Sequence, residues 1–255
     1  MSATFKDYSG YYDLLYKDKD YAAETDYIAG LIRRHAPDTK TILNLGCGTG
    51  KHDYLLAEKG YQIAGIDLSH EMVAIANEKQ SSFTGGNKPF FQQGDIRHIR
   101  LNRKFDAVIS LFHVMSYQTA NEDIEKTLTT AAGHLADDGI FIFDCWYGPA
   151  VLTDRPHKRE KNLEDASLKV KRMSTPVMYP NENCVDVVFD VTINKKSTKE
   201  DFTVREVHKM RYLFMPELLY FFASAGLHLV QAQKWMSDEE LGFDTWNATF
   251  ILRKK

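Results

Sequence analysis

Cysteine is scarce in this chain. Cys47, Cys145 and Cys184 are odd in number and far apart among 255 residues, which fits neither a disulfide framework nor the paired spacing of a zinc site. A reducing cytoplasm is the expected setting. An excess of one charge is missing too: 32 Lys and Arg stand against 35 Asp and Glu, a net charge of −3. That balance supplies no electrostatic reason for a polyphosphate partner such as DNA or RNA. No apolar run approaches the roughly 18 residues of a membrane span. The nearest, Leu218 to Val230, is interrupted by His228 with its Ser and Gly neighbours. The opening MSATFKDYSG has neither the basic start nor the apolar stretch of a secretory leader. No pair of the nine histidines has the i, i+4 spacing of a helical metal site, so no metal is expected. Aromatic residues, by contrast, are plentiful, with 13 Tyr beside only 3 Trp. Composition alone does not divide those tyrosines between packing and chemistry.

From Lys40 to about Trp146, short apolar β-branched runs alternate with longer amphipathic stretches, the pattern of βαβ units around a parallel sheet. The spacing predicts strands at Thr41 to Leu45, Gln62 to Asp67, Phe90 to Gln92, Phe105 to Leu111 and Ile140 to Asp144, with helices near Asp53 to Lys59, His70 to Lys79 and Asn121 to Ala136. Nearly continuous apolar strands imply burial on both faces. Ahead of this core, Tyr21 to Arg34 reads as a helix, and the first twenty residues, with tyrosines at 8, 11, 12 and 16, read as an arm or lid. After Trp146 the period changes to two. Val185, Val187, Phe189, Val191 and Ile193 alternate with polar residues, as in a half-exposed antiparallel strand, with partners at about Leu168 to Met178 and Phe202 to Leu213. The chain then returns through a helix, Pro216 to Ala225, to two last strands, Leu227 to Trp235 and Trp246 to Arg253. The expected organisation is an α/β fold with a helical arm at 1–39, a core built from 40–150 and 214–255, and an inserted antiparallel sheet at 151–213.

The most informative stretch is TILNLGCGTGK at 41–51, a strand that ends in Gly46, Gly48 and Gly50 and runs straight into a helix. Glycines there let the backbone turn tightly and approach a ligand, and a helix start offers free N–H groups. A dinucleotide fingerprint needs a glycine where Lys51 stands, which weakens a reading as an NAD enzyme. Cys47, inside the loop, reads as a small packing residue rather than a nucleophile. Asp67 ends the second strand, where a carboxylate can accept both ribose hydroxyls. Asp95, followed by the apolar Ile96, ends the third, a pairing suited to an adenine edge and face. A glycine turn or an aspartate alone is commonly structural. Their coincidence at successive strand ends is where ligands bind in such sheets.

These residues, with LNLGCGTG at 43–50, GIDLS at 65–69, GDI at 94–96 and FDAVISLFHV at 105–114, resemble the class I S-adenosylmethionine (SAM) dependent methyltransferases. The resemblance implies a Rossmann-like sheet with helices on both faces. It also implies that the loop of Gly46, Cys47 and Gly48 meets the methionine part of SAM, that Asp67 with Leu68 meets the ribose, that Asp95 and Ile96 meet adenine, and that Leu111 lies beside the cofactor. Asn44 stands where the family commonly has Asp. At the level of scattered motifs, DYSG at 7–10, YDLLY at 12–16, FFQQGDIR at 90–97 and EVHKMRYLF at 206–214 resemble the TDP-amino-sugar N,N-dimethyltransferases. By that resemblance Tyr8 lies near the acceptor amine, Tyr12 belongs to an arm over SAM, Tyr117 faces the acceptor, Trp146 and Tyr147 line the substrate mouth, and the inserted sheet serves the substrate and a homodimer. Asp144-Cys145 replaces the Glu-Pro of those enzymes, and SDEELGFDTW at 237–246 replaces their Gly-rich segment.

The implied reaction is N-methylation of a small acceptor, most simply the amine of a nucleotide-linked sugar, with Tyr8, Tyr117 or His113 taking a proton. Methylation of another small metabolite at nitrogen or oxygen and a non-enzymatic SAM-binding module stay open as alternatives. A base-amino methylase of nucleic acids carries an N/D-P-P-Y/F motif after the fourth strand, where this chain reads Ser110, Leu111, Phe112 and His113.

Overall fold

A strand can be apolar on both sides only if helices cover both, and β1 (Thr41–Leu45) meets that condition. Ile42 faces one layer and Leu43 and Leu45 the other. The computed structural model describes residues 19–165, 167–196 and 200–255; Tyr8, Tyr12 and the rest of 1–18 in the expected arm lie outside them.

In the first layer are α1 (Tyr21–His35) and α2 (Lys51–Glu58). Ile28, Leu31 and Ile32 recur on one side of α1 and pack with Leu56 of α2 against Ile42, Ala107 and Ile142 of the sheet. Asp20 caps α1 by accepting from the Ala23 N–H at 2.9 Å, and Arg33, Arg34 and His35 sit at the end where a helix dipole favours cations. In the second layer α4 (Asn121–His134) and α6 (Met215–Ser224) lay Ile124, Leu128, Phe221 and Phe222 against Leu43, Val108, Phe143 and Phe250. The rings of Phe143 and Phe250 stack at 5.1 Å. A shorter helix, α3 (His70–Glu78), is capped by Ser69, whose hydroxyl accepts from the Met72 N–H.

The sheet completes with β2 (Gln62–Asp67), β3 (Phe90–Gln93), β4 (Phe105–Ser110), β5 (Leu135–Trp146), β10 (Leu227–Lys234) and β11 (Asn247–Lys254), in the spatial order β10-β11-β5-β4-β1-β2-β3. β1 to β5 run parallel, and β11 is antiparallel to both of its neighbours. Asp106 fixes the start of β1, accepting from the Lys40 and Thr41 N–H groups and the Thr41 hydroxyl, each at 2.9 Å.

The second sheet, β6 (Arg159–Glu164), β7 (Leu168–Tyr179), β8 (Cys184–Lys195) and β9 (Glu200–Arg211), is antiparallel throughout and consecutive in order. Val187, Phe189, His208 and Met210 share the face turned to the first sheet.

Several boundaries differ from expectation. β5 starts at Leu135 rather than Ile140, and α4 stops at His134, because Leu135 pairs with Phe105 across an irregularity in register and the acidic 137–138 pair stays in the strand but exposed. β4 ends at Ser110, so Leu111 lies in the following turn. β6 and the short α5 (Gly148–Thr153) carry no sequence signal: an edge strand reading REKNLE needs no apolar face when its backbone pairs with β7.

One polar pair crosses the first layer. The Asn44 amide of β1 donates to Asp53 Oδ2 of α2 at 2.9 Å, both side chains buried. The other oxygens, Asn44 Oδ1 and Asp53 Oδ1, are buried without a hydrogen-bond partner among the described residues. Burial pushes the Asp53 carboxyl up to about 7, and a proton there gives the pair a donor it otherwise lacks. The folded carboxyl holds that proton to about pH 7 while the unfolded chain releases it near 3.8. The protonated pair's contribution to stability is therefore full below the unfolded value and lost as pH rises through the folded one. Asp53→Asn is expected to exceed the wild type in urea-unfolding stability at a pH above about 8 by roughly 2–4 kcal/mol. That margin should close toward a pH of about 4, and a margin independent of pH would show that Asp53 is ionised in the core.

Candidate active site

The strand order reverses between β1 and β4, and the loops leaving their C-terminal ends diverge around a cleft. On one side runs the glycine loop. The N–H groups of Gly46 and Cys47 both donate to the Ile66 carbonyl, at 2.7 and 2.9 Å, tying the loop across β2. Gly46, Gly48 and Gly50 have φ values of +92°, +55° and +73°, a region that side chains disfavour. A Cβ on Gly46 would lie 2.5 Å from Val114 Cγ2, whereas one on Gly48 would meet nothing within 4 Å. Gly48 thus faces open space, the cradle that a ligand's backbone-proximal groups require. Its N–H donates to Asp67 Oδ2 at 2.8 Å, and the Ser69 N–H donates to Asp67 Oδ1 at 2.9 Å. Burial raises the Asp67 carboxyl in spite of these donors. The Cys47 thiol is also pushed up by burial, among Tyr54, Val73, Ala76 and Phe91, which fits a packing role rather than a nucleophile.

The turn after β4 forms the other side. Phe112 and His113 take consecutive left-handed conformations, φ +67° and +63°, a strain that must be held by its surroundings. The holding group is Asp144, buried in β5. Both of its oxygens accept from the His113 N–H, at 3.1 and 3.2 Å. Asp144 Oδ2 also lies 2.6 Å from His113 Nδ1, a close contact without hydrogen-bond alignment. Ser116 anchors the next turn by accepting from the Trp146 N–H at 2.9 Å.

At the rim, Glu24 of α1 gathers Lys19 at 2.7 Å and His52 at 2.8 Å. Burial pulls the Glu24 carboxyl up, but hydrogen bonds from His52 and Lys19 outweigh it and hold it below its usual range. Burial pushes both Lys19 and His52 down. The Lys19 ammonium also stands 3.6 Å from the Phe112 ring centroid, joining the start of α1 to the strained turn.

The cleft continues into a cavity of about 590 Å³ between the two sheets, within the range of small-molecule sites. Gly46, Cys47, Gly48, Asp67, Leu111, His113, Tyr117 and Trp146 of the sequence-derived set are on its wall. Leu68 is exposed and off the wall. Ile96 is buried in the core, and Asp95 is closed on Arg97, whose Nη2 donates at 2.7 Å and whose hydrogen bonds hold the carboxyl below its usual range. Neither is on the described wall. Tyr147 departs from its expected place at the substrate mouth. It is buried in the core, because its backbone bridges Leu213 and turns the ring in among apolar neighbours.

Sequence reasoning gave the inserted sheet a substrate role but named none of the residues with which it lines the cavity, Val187, Phe189, His208 and Met210, nor Trp246, whose ring stands edge-on to Trp146 at 5.7 Å. A signal was present in β9, where Glu206 and His208 fall on the same parity as the buried Met210. Tyr117 Oη and His208 Nδ1 lie 2.8 Å apart, joining the turn after β4 to the second sheet. Among the described residues, no group of three or more His, Cys, Asp or Glu is placed to hold a metal ion.

Comparisons with known proteins give the family and the fold. A family model described as a methyltransferase domain matches residues 42–139. The dTDP-3-amino-3,4,6-trideoxy-α-D-glucopyranose N,N-dimethyltransferase of Streptomyces venezuelae is 30% identical over 225 residues, 88% of this chain and 91% of that protein. The dTDP-3-amino-3,6-dideoxy-α-D-glucopyranose N,N-dimethyltransferase of Streptomyces fradiae is 33% identical over 153 residues, 58% of each chain. Among solved structures, Streptomyces venezuelae DesVI superposes with a TM-score of 0.79 at 26% identity, covering 96% of this chain and 97% of its own. An S-adenosylmethionine-dependent methyltransferase of Clostridium acetobutylicum reaches a TM-score of 0.81 at 22% identity, covering 98% of both chains, a likeness of fold.

The two glycines should separate folding from binding. Gly48→Ala, strained by about 1 kcal/mol, is expected to keep a cooperative melt yet lose about tenfold or more in S-adenosylhomocysteine affinity by calorimetry. Gly46→Ala is expected to lower the melting temperature by at least several degrees through the Val114 clash. Unchanged affinity in a folded Gly48→Ala would place the ligand elsewhere.

Proposed function

The chain belongs to the S-adenosylmethionine-dependent methyltransferases, in the family of the dTDP-amino-sugar N,N-dimethyltransferases, and from that premise we propose that it N-methylates the amine of a nucleotide-linked amino sugar. The observation that carries this reading is the two-walled cavity. One wall is the glycine loop with Asp67, the other the face of the second sheet, so a cofactor and a sizeable acceptor can meet between them.

The residues present suit the cofactor: an open cradle over Gly48, a carboxylate at Asp67 and the apolar side chain of Leu111. In this reading Gly46, Cys47 and Gly48 receive the methionine portion, Asp67 the ribose hydroxyls and Leu111 a flank, with adenine beyond Asp67 toward Asp95 and Ile96. Bound SAM supplies an electrophilic methyl on a sulfonium. The protein's own work is to align and desolvate the acceptor. Trp146, Trp246 and Phe189 on the cavity wall exclude water. A protonated amine has no lone pair to offer, so it must first give a proton to a side chain at the boundary. The described candidates there are His113, braced by Asp144, and Tyr117; Tyr8 and Tyr12 belong to the arm, outside the described residues.

The second sheet, within 151–213, is assigned to acceptor binding and to a homodimer. Its outer face carries exposed Val177 and Val207, which suit a second copy. The three cysteines are unpaired and buried, in keeping with a cytoplasmic location. Among the described residues no helix is long and apolar enough to cross a membrane.

Incubation with SAM and dTDP-3-amino-3,6-dideoxyglucose is expected to give mono- and dimethylamino products with S-adenosylhomocysteine, read by mass spectrometry, while the 3-hydroxy analogue stays unmethylated. Absence of transfer to any dTDP-, UDP- or GDP-linked amino sugar would overturn the substrate assignment. Sedimentation should show a dimer that Val207→Glu converts to monomer; a monomeric wild type would remove the dimer assignment.

A further inference from the structure

Two polar residues of β9 are buried on the face turned to the cavity. Glu206 and His208 are 4% and 3% exposed on the face of β9 that also carries Met210. Polar groups on a buried face cost free energy unless they are paired. They pair with each other, His208 Nε2 to Glu206 Oε2 at 3.3 Å, and His208 Nδ1 lies 2.8 Å from Tyr117 Oη. Phe189 closes over the imidazole edge-on, with centroids 5.0 Å apart. Tyr117 and His208 are on the cavity wall and Glu206 is not, so the carboxylate lies one group behind the surface.

We propose that Glu206, His208 and Tyr117 form a proton relay that deprotonates the acceptor's ammonium before methyl transfer. The inference rests on the amino-sugar reading above and extends it to residues of the second sheet. One tautomer satisfies both contacts: Nε2–H donates to the Glu206 carboxylate, which leaves Nδ1 to accept from the Tyr117 hydroxyl. The chain of acid, imidazole and hydroxyl then matches the logic of a hydrolase triad, with a phenol in the hydroxyl's place.

The proton balance is complete. The Tyr117 oxygen takes a proton from R–NH3⁺ as its own proton passes to His208 Nδ1. The substrate becomes R–NH2, and the charge becomes an imidazolium held against Glu206. The amine then bonds to the methyl carbon as the carbon–sulfur bond breaks, giving R–NH2⁺–CH3. Reversal of the Tyr117–His208 shift sends the stored proton to water, and the relay can deprotonate the methylated ammonium for a second transfer. Tyr117 is the catalytic group here; His208 and Glu206 are positioning residues that act through it.

Other charges also bear on the imidazole. Arg172 of β7 lies over the Phe189 ring at 4.6 Å, and His113, His157 and Arg159 share the cavity wall. His113 is already committed to Asp144 in the turn after β4. Tyr117 stands where that turn meets the second sheet.

The test is a pH series of kcat/KM at saturating SAM with dTDP-3-amino-3,6-dideoxyglucose, for the wild type, Glu206→Gln, His208→Gln and Tyr117→Phe. Each variant is expected to fall about 100-fold below the wild type near a pH of about 6.5 and to recover most of that loss near about 9.5, where the amine is already free. Affinity for S-adenosylhomocysteine should not change. A deficit equal at every pH is what misplaced packing would produce and would overturn the relay. The second measurement needs no acceptor: nitrogen NMR of the wild-type imidazoles at neutral pH should find His208 protonated at Nε2. A ring protonated at Nδ1 overturns the relay whichever acceptor the enzyme uses. Failure of the wild type to methylate the sugar would count against the amino-sugar reading, and the tautomer would then decide the relay.

Discussion

With β2 on one side of β1 and β4 on the other, the chain must leave neighbouring strand ends in opposite directions, and every later feature depends on that divergence. It opens a crevice that no side chain has to carve. The glycine loop turns one way, pinned by the Ile66 carbonyl, and the left-handed turn at Phe112 and His113 goes the other way, pinned by Asp144. Because the strands are covered on both faces, only their ends are free to carry chemistry.

The interior polar groups divide according to what they hold. Asp106 and Ser116 fix backbone positions, and each accepts from an N–H that would otherwise lack a partner at a strand boundary. The Asn44–Asp53 pair joins a strand to a helix, and its cost is relieved by a proton rather than by a counter-charge. Asp144 and Glu206 stand differently: each is buried beside a histidine whose ring is on the cavity wall. Low-dielectric surroundings strengthen both pairs and make either partner alone expensive. The first pair braces the turn after β4, and the second reaches the cavity from the other sheet.

The core was legible in the sequence because its constraints are local. A strand buried on both faces must be apolar, and a tight loop over a ligand must use glycine, so β1 to β4 and Gly46 to Gly50 could be placed from spacing alone. The Asp67 position followed from the same geometry. The misses come from places where pairing across the chain overrides local pattern. β6 is charged because an edge strand is held by its backbone, and Leu135 is a strand residue only because Phe105 lies beside it. Tyr147 was assigned to the site by the family resemblance, but it follows Trp146 at the end of β5 with its side chain in the core, while Trp146 is on the cavity wall. His208 is separated from Tyr117 by 91 residues, and no local period can report a contact of that kind.

The second sheet leaves and rejoins the first at one place. Tyr147 bridges Leu213, the Leu213 N–H donates to the Trp146 carbonyl at 2.9 Å, and the Gly148 N–H donates to the Leu213 carbonyl at 2.8 Å. The excursion between them therefore behaves as a cassette with its two ends stitched together. Its length and side chains can drift, be shortened or be exchanged between homologues without altering the register of β5 or the glycine loop. Such a seam lets the wall that the second sheet gives the cavity change while the wall built from the first sheet stays fixed.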